Sequence, residues 1–259
     1  MSKIIAVHSY RGGTGKTNLT ANLATILAAR GERVGIMDGD IQSPGIHNLF
    51  DLTDEKITKT LNDYLWGRCP IQEAVYDVSG VGGIKGEGKI FLVPASSNSD
   101  EIARILSEGY NVSLLNEGIR QLMKQLSLSY FFIDTHPGLS KETFISIAIS
   151  STLIMLLRID RQDYQGIAIM LDLAKRLKVP YTMLVVNQAL RIINLELFQQ
   201  QLEQTYEVSV AGILPLTEEL VQLGSNGIFC QQYPDSQWTQ NLIQICDRLT
   251  NLPKPSESH

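Results

Sequence analysis

The residues with the clearest chemical capacity are Gly12-Gly13-Thr14-Gly15-Lys16-Thr17, set between an apolar run and an amphipathic stretch. Glycines at this spacing let consecutive backbone N–H groups converge on phosphate oxygens, and a helix starting at Lys16 adds the partial positive charge of its N-terminus. The Lys16 ammonium has the reach to neutralise β- and γ-phosphate oxygens, and the Thr17 hydroxyl can ligate Mg²⁺. A flexible glycine turn with an incidental Lys-Thr pair accounts poorly for the strand before it and the helix after it. The motif predicts a nucleoside triphosphate site, with Asn18 directly behind it.

Acidic residues stand where such a site needs them. Asp38 and Asp40 close a short apolar run, and the single residue between them puts both side chains on one side of an extended segment. Open α/β sheets bind ligands beside the carboxyl ends of their strands. Asp134 follows the apolar run Tyr130-Phe131-Phe132-Ile133 and suits an aspartate that holds Mg²⁺ through water. His136, two residues on, faces either a γ-phosphate or solvent. Asn187 ends another apolar run, and its amide offers both donor and acceptor to an adenine edge. Gln188-Ala189-Leu190 follows it in place of the Lys-x-Asp that reads guanine, which favours ATP over GTP.

These groups need a scaffold, and the hydrophobic pattern supplies one. Strands are expected at Lys3–His8, Arg33–Met37, Ile90–Val93, Tyr130–Ile133, Thr152–Ile159, Tyr181–Val186 and Val208–Leu214. Helical periodicity marks Lys16–Arg30 (stopped by Gly31), Ser99–Ser107, Leu114–Leu126, Tyr164–Leu177, Leu195–Gln204 and Trp238–Leu249. Alternation of this kind implies an α/β fold, a doubly wound and mainly parallel sheet flanked by helices. The glycine-rich Asp77–Gly88 segment reads as a surface loop or hairpin. One domain over residues 1–252 is expected, with a fraying tail at 253–259.

Read together, the string Tyr10-Arg11-Gly12-Gly13-Thr14-Gly15-Lys16-Thr17 resembles the loop of the ParA/MinD family of deviant Walker ATPases, Lys-Gly-Gly-x-Gly-Lys-Thr. The resemblance continues through Asp38–Gly45, Phe91–Ser96, Phe132–Gly138, Val185–Asn187, Gly212–Pro215 and Leu223–Gly227. It implies ATP and Mg²⁺ as cofactors and a slow, partner-stimulated ATPase. Two ATP molecules would be sandwiched in a homodimer, and an activating adaptor protein would trigger hydrolysis. By the same resemblance Lys16, Asp38, Asp40 and Arg11 form the catalytic set, with Asp40 positioning the attacking water. Asp38 would support a metal shell that includes Thr17 and Asp134, and Asn187 and Pro215 would lie near the base. The departure is Arg11, which stands where the family has the lysine that reaches the partner's ATP. A guanidinium is planar and longer, so the exchange is not neutral. Either Arg11 still crosses the interface, or Lys141 takes over that contact; the alternative for Lys141 is an exposed cation near a helix start.

The resemblance leaves open which surface the dimer uses. MinD-like members end in a basic amphipathic helix that lies on membranes. Here the last helical stretch has apolar residues Trp238, Leu242, Ile245, Cys246 and Leu249 with Arg248 as its cation, which reads as a helix packed on the core. ParA-like members bind DNA nonspecifically, and Arg120, Lys124, Arg158, Arg161, Lys175, Arg176, Lys178 and Arg191 are the candidate cations. Dipole compensation at a helix end is the alternative for Lys175-Arg176-Leu177-Lys178. The expectation is nonspecific nucleoid binding and positioning of a plasmid, a chromosome region or a protein compartment such as a carboxysome. A MinD-like, membrane-associated division-site regulator is the alternative. A metal-cluster carrier is disfavoured because Cys69, Cys230 and Cys246 form no CxxC pair.

Composition agrees with this reading. A chain of 259 residues with 44% hydrophobic and 19% charged residues can bury a sizeable core. Its net charge of −5 excludes an overall basic coat but allows a local basic patch. The four histidines show no metal-ligand spacing, no apolar run approaches the ~18 residues of a membrane span, and Met1–Val7 is too short for a signal peptide. A cytoplasmic protein is expected, with no segment before Met1 that would read an operator.

Overall fold

The computed structural model describes residues 2–111, 113–190 and 194–253. Eight strands form one sheet: β1 Lys3–His8, β2 Arg33–Gly39, β3 Tyr76–Asp77, β4 Lys89–Val93, β5 Tyr130–Thr135, β6 Thr152–Leu157, β7 Tyr181–Ala189 and β8 Val210–Pro215. The helices, in chain order, are α1 Lys16–Ala29, α2 Ile46–Leu49, α3 Leu61–Leu65, α4 Ser99–Glu108, α5 Ser113–Gln125 and α6 Lys141–Ala148. They continue with α7 Arg161–Arg176, α8 Leu195–Tyr206, α9 Glu218–Leu223, α10 Phe229–Gln232 and α11 Gln237–Asn251. The strand order is β3-β4-β2-β5-β1-β6-β7-β8, and every pairing is parallel except β3 against β4. The expected doubly wound, mainly parallel sheet is therefore the observed one.

Alternate residues of each strand enter opposite layers, as the strand period of two requires. Tyr130 and Phe132 of β5 pack with α1 and α11, whereas Phe131 and Ile133 face α5. On β6, Ile154 and Leu156 join the first layer, and Leu153, Met155 and Leu157 meet α7 and α8. Helix α1 is buried nearly all round because the sheet, α10 and α11 surround it. Asn22 inside this helix is satisfied there: its Oδ1 accepts the Cys230 N–H at 2.7 Å. Trp238, Leu242, Ile245, Cys246 and Leu249 of α11 are all fully buried, so this helix packs on the core.

Several boundaries moved for identifiable reasons. β2 runs on to Gly39 because Asp38 and Gly39 keep pairing with Asp134 and Thr135 of β5. β7 likewise continues past Val186 to Ala189, through a register irregularity against β8. α7 begins earlier than its apolar period suggests, because the Asp160 carboxylate caps it by accepting the Gln162 N–H at 2.8 Å. The predicted Asp77–Gly88 loop is bracketed by the antiparallel β3–β4 pair, as a hairpin would be. The short helices α2, α3, α9 and α10 lack enough turns to show a period and were not expected, whereas α6 begins at Lys141, where a helix start was expected. Among the described residues no helix is long and apolar enough to cross a membrane. Residues 254–259 of the expected tail lie outside the described residues.

Candidate functional site

β1 is flanked by β5 and β6, so successive crossovers leave it on opposite sides and a crevice opens at its carboxyl end. The glycine loop fills that crevice between β1 and α1. Gly15 serves as the N-terminal boundary of α1 with φ +94°, a conformation that disfavours side chains. A Cβ there would also lie 2.5 Å from the Asn187 Nδ2. That amide donates to the Thr14 carbonyl at 2.7 Å, so Asn187 braces the loop from β7. The adjoining Gln188 has φ +56°, within the irregular stretch of β7 that carries both side chains to the loop. The Asn187 Oδ1 is buried without a partner among the described residues. One end of the amide is spent on the loop and the other is available.

The loop borders a cleft of ≈ 550 Å³, within the range of nucleotide pockets. Gly12, Gly13, Gly15, Lys16, Thr17, Asn18, Asp40, His136 and Asn187 line it. Lys16 is buried and takes part in no ion pair among the described residues. Ser43, Pro137, Gln188, Leu216, Leu220, Val221, Gly224 and Ser225 complete the wall. Sequence reasoning gave these no individual site role, although Ser43, Pro137, Gly224 and Ser225 fall in segments noted for their resemblance. Thr14, Asp38, Asp134 and Pro215 do not line the cleft; Leu216, next to Pro215, does.

The carboxylates divide the work. Thr17 Oγ1 donates to Asp134 Oδ2 at 2.7 Å, while Asp134 Oδ1 is buried without a partner among the described residues. Burial raises the Asp134 carboxyl to about 6, against the opposing Thr17 hydrogen bond and Lys16 charge. Burial, and next the charge of Asp134, also holds Asp38 well above the usual carboxylate range. Two buried acids with an orphaned oxygen beside a hydroxyl suit a hard cation, which fits Mg²⁺. Among the described residues no cluster of three or more acidic, histidine or cysteine side chains forms a metal cage. Mg²⁺ characteristically needs only one or two carboxylates when phosphates and water supply the rest.

Asp38 and Asp40 do not act as a matched pair on one side. Asp38 Oδ1 accepts the Asp40 N–H at 3.2 Å, and its Oδ2 accepts the Gly45 and Ile46 N–H groups at 3.0 and 3.4 Å. It therefore ties down the loop that carries Asp40. Asp40 itself enters the cleft, and its Oδ1 lies 2.6 Å from the His136 Nδ1. His136 lies in the loop after β5, partly exposed and lining the cleft, with its ring held against Asp40.

His8, at the end of β1, is fully buried. Its Nδ1 lies 2.7 Å from Thr135 Oγ1, and the hydroxyl proton of Thr135 already goes to the Val7 carbonyl at 2.9 Å. The imidazole Nδ1–H must therefore donate to Thr135, and Nε2 is left as a buried acceptor. Burial, with Lys16 and His136 charge behind it, lowers the His8 pKa from 6.5 to about 3. A folded pKa below the unfolded one means that the unfolded chain binds the extra proton. Stability is accordingly expected to fall as pH drops from ~6.5 toward 3, by up to about 1.4 kcal/mol per pH unit from this group. Urea midpoints at pH 7 and 4.5 check it: His8→Asn, which keeps a donor, is expected to flatten that slope.

Neither candidate cross-subunit cation lines the cleft of its own protomer. Arg11 is half-exposed and reaches Asp160 Oδ1 at 3.5 Å, and Tyr10 before it packs so closely on Gly166 of α7 that a Cβ on Gly166 would overlap its ring. Lys141 is exposed at the start of α6 and lines a second hollow of ≈ 280 Å³, which shares His136 with the cleft. The cations considered for DNA are not one set. Arg158 pairs with the buried Asp163, and Arg161 lies at the opposite end of α7 from Lys175 and Arg176. Arg120 and Lys124 of α5, Lys175 and Arg176 at the end of α7 and Lys178 just after it are exposed where the strands begin. Arg191 lies outside the described residues.

A glycine loop joining the central strand to its helix, with the Thr17 hydroxyl bonded to a buried Asp134, is the layout of a P-loop NTPase. Residues 1–250 match the ParA family, described as NUBPL iron-transfer P-loop NTPase, and the chain belongs to that family. It is 29% identical over 252 residues to an uncharacterised ATP-binding protein of Methanocaldococcus jannaschii, covering 96% of this chain and 88% of that one. An iron-sulfur cluster carrier protein of Haemophilus influenzae is 26% identical over 267 residues, 96% of this chain and 66% of the carrier. The septum site-determining protein MinD of Pyrococcus horikoshii, complexed with Mg-ADP, shares the fold with a TM-score of 0.80 at 18% identity, covering 97% of both chains.

Proposed function

We propose that this chain is an ATP-driven positioning switch of the ParA kind. ATP binds in the glycine-loop cleft and joins two copies; the dimer holds nucleoid DNA without sequence preference; an adaptor protein triggers slow hydrolysis and release. The observation that carries this reading is the cleft itself, with buried Lys16 facing it and Arg11 held outside it. Lys16 and the loop amides hold the β- and γ-phosphates, and Thr17 and Asp134 hold Mg²⁺, which shares the phosphate charge when bound. The Asp40 carboxylate orients the attacking water. Asp38 keeps the Asp40 loop in place, and the free Asn187 Oδ1 accepts from the base.

A cation in the first turn opposes the helix dipole, so Lys141 sits where it costs its own helix rather than helping it. That supports a role for it across the interface, beside or in place of Arg11. The exposed cations of α5 and α7 where the strands begin support DNA as the surface. The apolar face of α11 is already spent on the core, which speaks against the membrane-bound alternative. The name of the Haemophilus relative suggests cluster transfer, but Cys69, Cys230 and Cys246 are all buried and form no CxxC pair, which disfavours that reading. The cargo is a plasmid, a chromosome region or a protein compartment.

Sedimentation velocity with a non-hydrolysable ATP analogue tests the switch. Arg11→Ala is expected to leave monomer affinity intact and weaken the dimer by about 1.5–3 kcal/mol per lost phosphate contact. If Lys141→Ala abolishes the dimer and Arg11→Ala does not, the contact belongs to α6; indifference of both removes the sandwich. Co-sedimentation of the ATP state with random-sequence DNA is expected to weaken steeply with salt. Binding to anionic liposomes instead would favour the membrane reading.

A further inference from the structure

We infer that His136 is the positioning residue for Asp40. The inference rests on the reading of Asp40 as the residue that orients water. His136 belongs to the segment after β5, and Asp40 to the segment after β2, two strands that pair side by side. An ionised carboxylate only accepts, so at 2.6 Å the His136 Nδ1–H donates to Asp40 Oδ1. The Ser43 N–H donates to the same oxygen at 3.2 Å. Oδ1 is thus held from two directions, and Oδ2 has no hydrogen-bond partner among the described residues. Asp40 lines the cleft, so the oxygen left over is the one available to a water.

The ring can hold a carboxylate only if its own backbone is held. Thr143 Oγ1 of α6 donates to the His136 carbonyl at 3.2 Å, and Thr143 is fully buried. Two residues on, the Gly138 N–H donates to the Ser9 carbonyl at 3.1 Å, directly before the phosphate loop. His136 is thereby braced against α6 on one side and tied near β1 on the other, and Pro137 between the anchors restricts the backbone further. Without the imidazole, Asp40 keeps one weak N–H contact and can swing about its χ angles. Small misplacements of an orienting group carry large rate costs.

Turnover and Mg-ATP affinity measured in parallel test this, together with imidazole nitrogen NMR of the nucleotide-free protein. His136→Ala is expected to lower kcat roughly 10–100-fold with nucleotide affinity within about two-fold of the parent. His136→Asn, whose amide can donate from nearly the place of Nδ1, is expected to restore most of kcat. In the parent the His136 Nδ1 is expected to carry the proton, and Asp40→Ala to abolish that preference. Parental kcat in His136→Ala while Asp40→Ala is inactive overturns the positioning role and leaves the reading of Asp40 standing. Parental kcat in Asp40→Ala overturns that reading itself. Parallel loss of nucleotide affinity and kcat in His136→Ala, or no rescue by Asn in a variant that melts like the parent, also overturns the proposal. So does an NMR spectrum in which Nδ1 carries no proton.

Discussion

Replacing Lys16 by alanine is expected to abolish useful binding of ATP. Lys16 is a buried ammonium beside the cleft, with the glycine loop on one side and the Asp134 carboxylate close enough to be stabilised by its charge. Backbone N–H groups supply partial charges only, and no other Lys or Arg lines the cleft among the described residues. Removing one partner of a buried charge–phosphate contact costs about 3–4 kcal/mol, which is roughly 10²–10³ in Kd. Titration calorimetry with ATP and Mg²⁺ measures it directly. Near-parental affinity in Lys16→Ala would remove the phosphate-loop assignment. A parental melting temperature in the absence of nucleotide would show that the loss belongs to the site.

The second large effect is expected of Asp40→Ala, with the opposite signature. Its carboxylate is an acceptor held by His136 and the Ser43 N–H, so it brings negative charge to the cleft and no donor for the nucleotide. Affinity for ATP is therefore expected to stay within about three-fold or to tighten, while turnover falls roughly 10²-fold or more. The ATP-dependent dimer is expected to persist because release waits on hydrolysis. Steady-state phosphate release and sedimentation of the same preparation measure both halves. Turnover at the parental rate would mean that another group orients the water. A loss of affinity equal to the loss of rate would mean that Asp40 helps to form the cleft. The contrast between the two variants separates holding the phosphates from acting on the water.

The legible parts of this site are those written in consecutive residues. The glycine loop builds its cradle from its own backbone, so Gly12 to Thr17 announce it without reference to any distant element. Gly15 is confirmed in the conformation that favours glycine, and the helix begins at Lys16 as read. Strand boundaries were less legible. The apolar run of β2 ends at Met37, but pairing with β5 carries the strand to Gly39 and turns Asp38 inward. The sequence reads Asp38 and Asp40 as a pair, whereas β2 ends at Gly39 and the two carboxylates take different partners. Asp38 then serves the backbone of the following turn, and Asp40 meets a residue from another strand end.

Asn187 shows the same division. Its residue type and its place after an apolar run pointed to the cleft, and the cleft is where it lies. That one end of its amide is spent on the Thr14 carbonyl depends on how β7 bulges beside β8, which no local pattern records. The basic residues of α7 looked like a set because they are near in sequence. A helix of sixteen residues rises about 24 Å, so its two ends face different parts of the surface.

By itself the sequence determined the α/β alternation, the phosphate loop and the residue types around it. These follow from local backbone geometry and from periods of two and 3.6 along the chain. Only the tertiary structure decided that β2 and β5 lie side by side, and hence that His136 holds Asp40 across a separation of 96 residues. It also decided that Arg11 turns to Asp160 and that the Asn187 amide braces the Thr14 carbonyl. The physical reason is common to all three. A side chain's partner is set by which strands and helices become neighbours, and that is settled by burying both faces of the whole sheet at once.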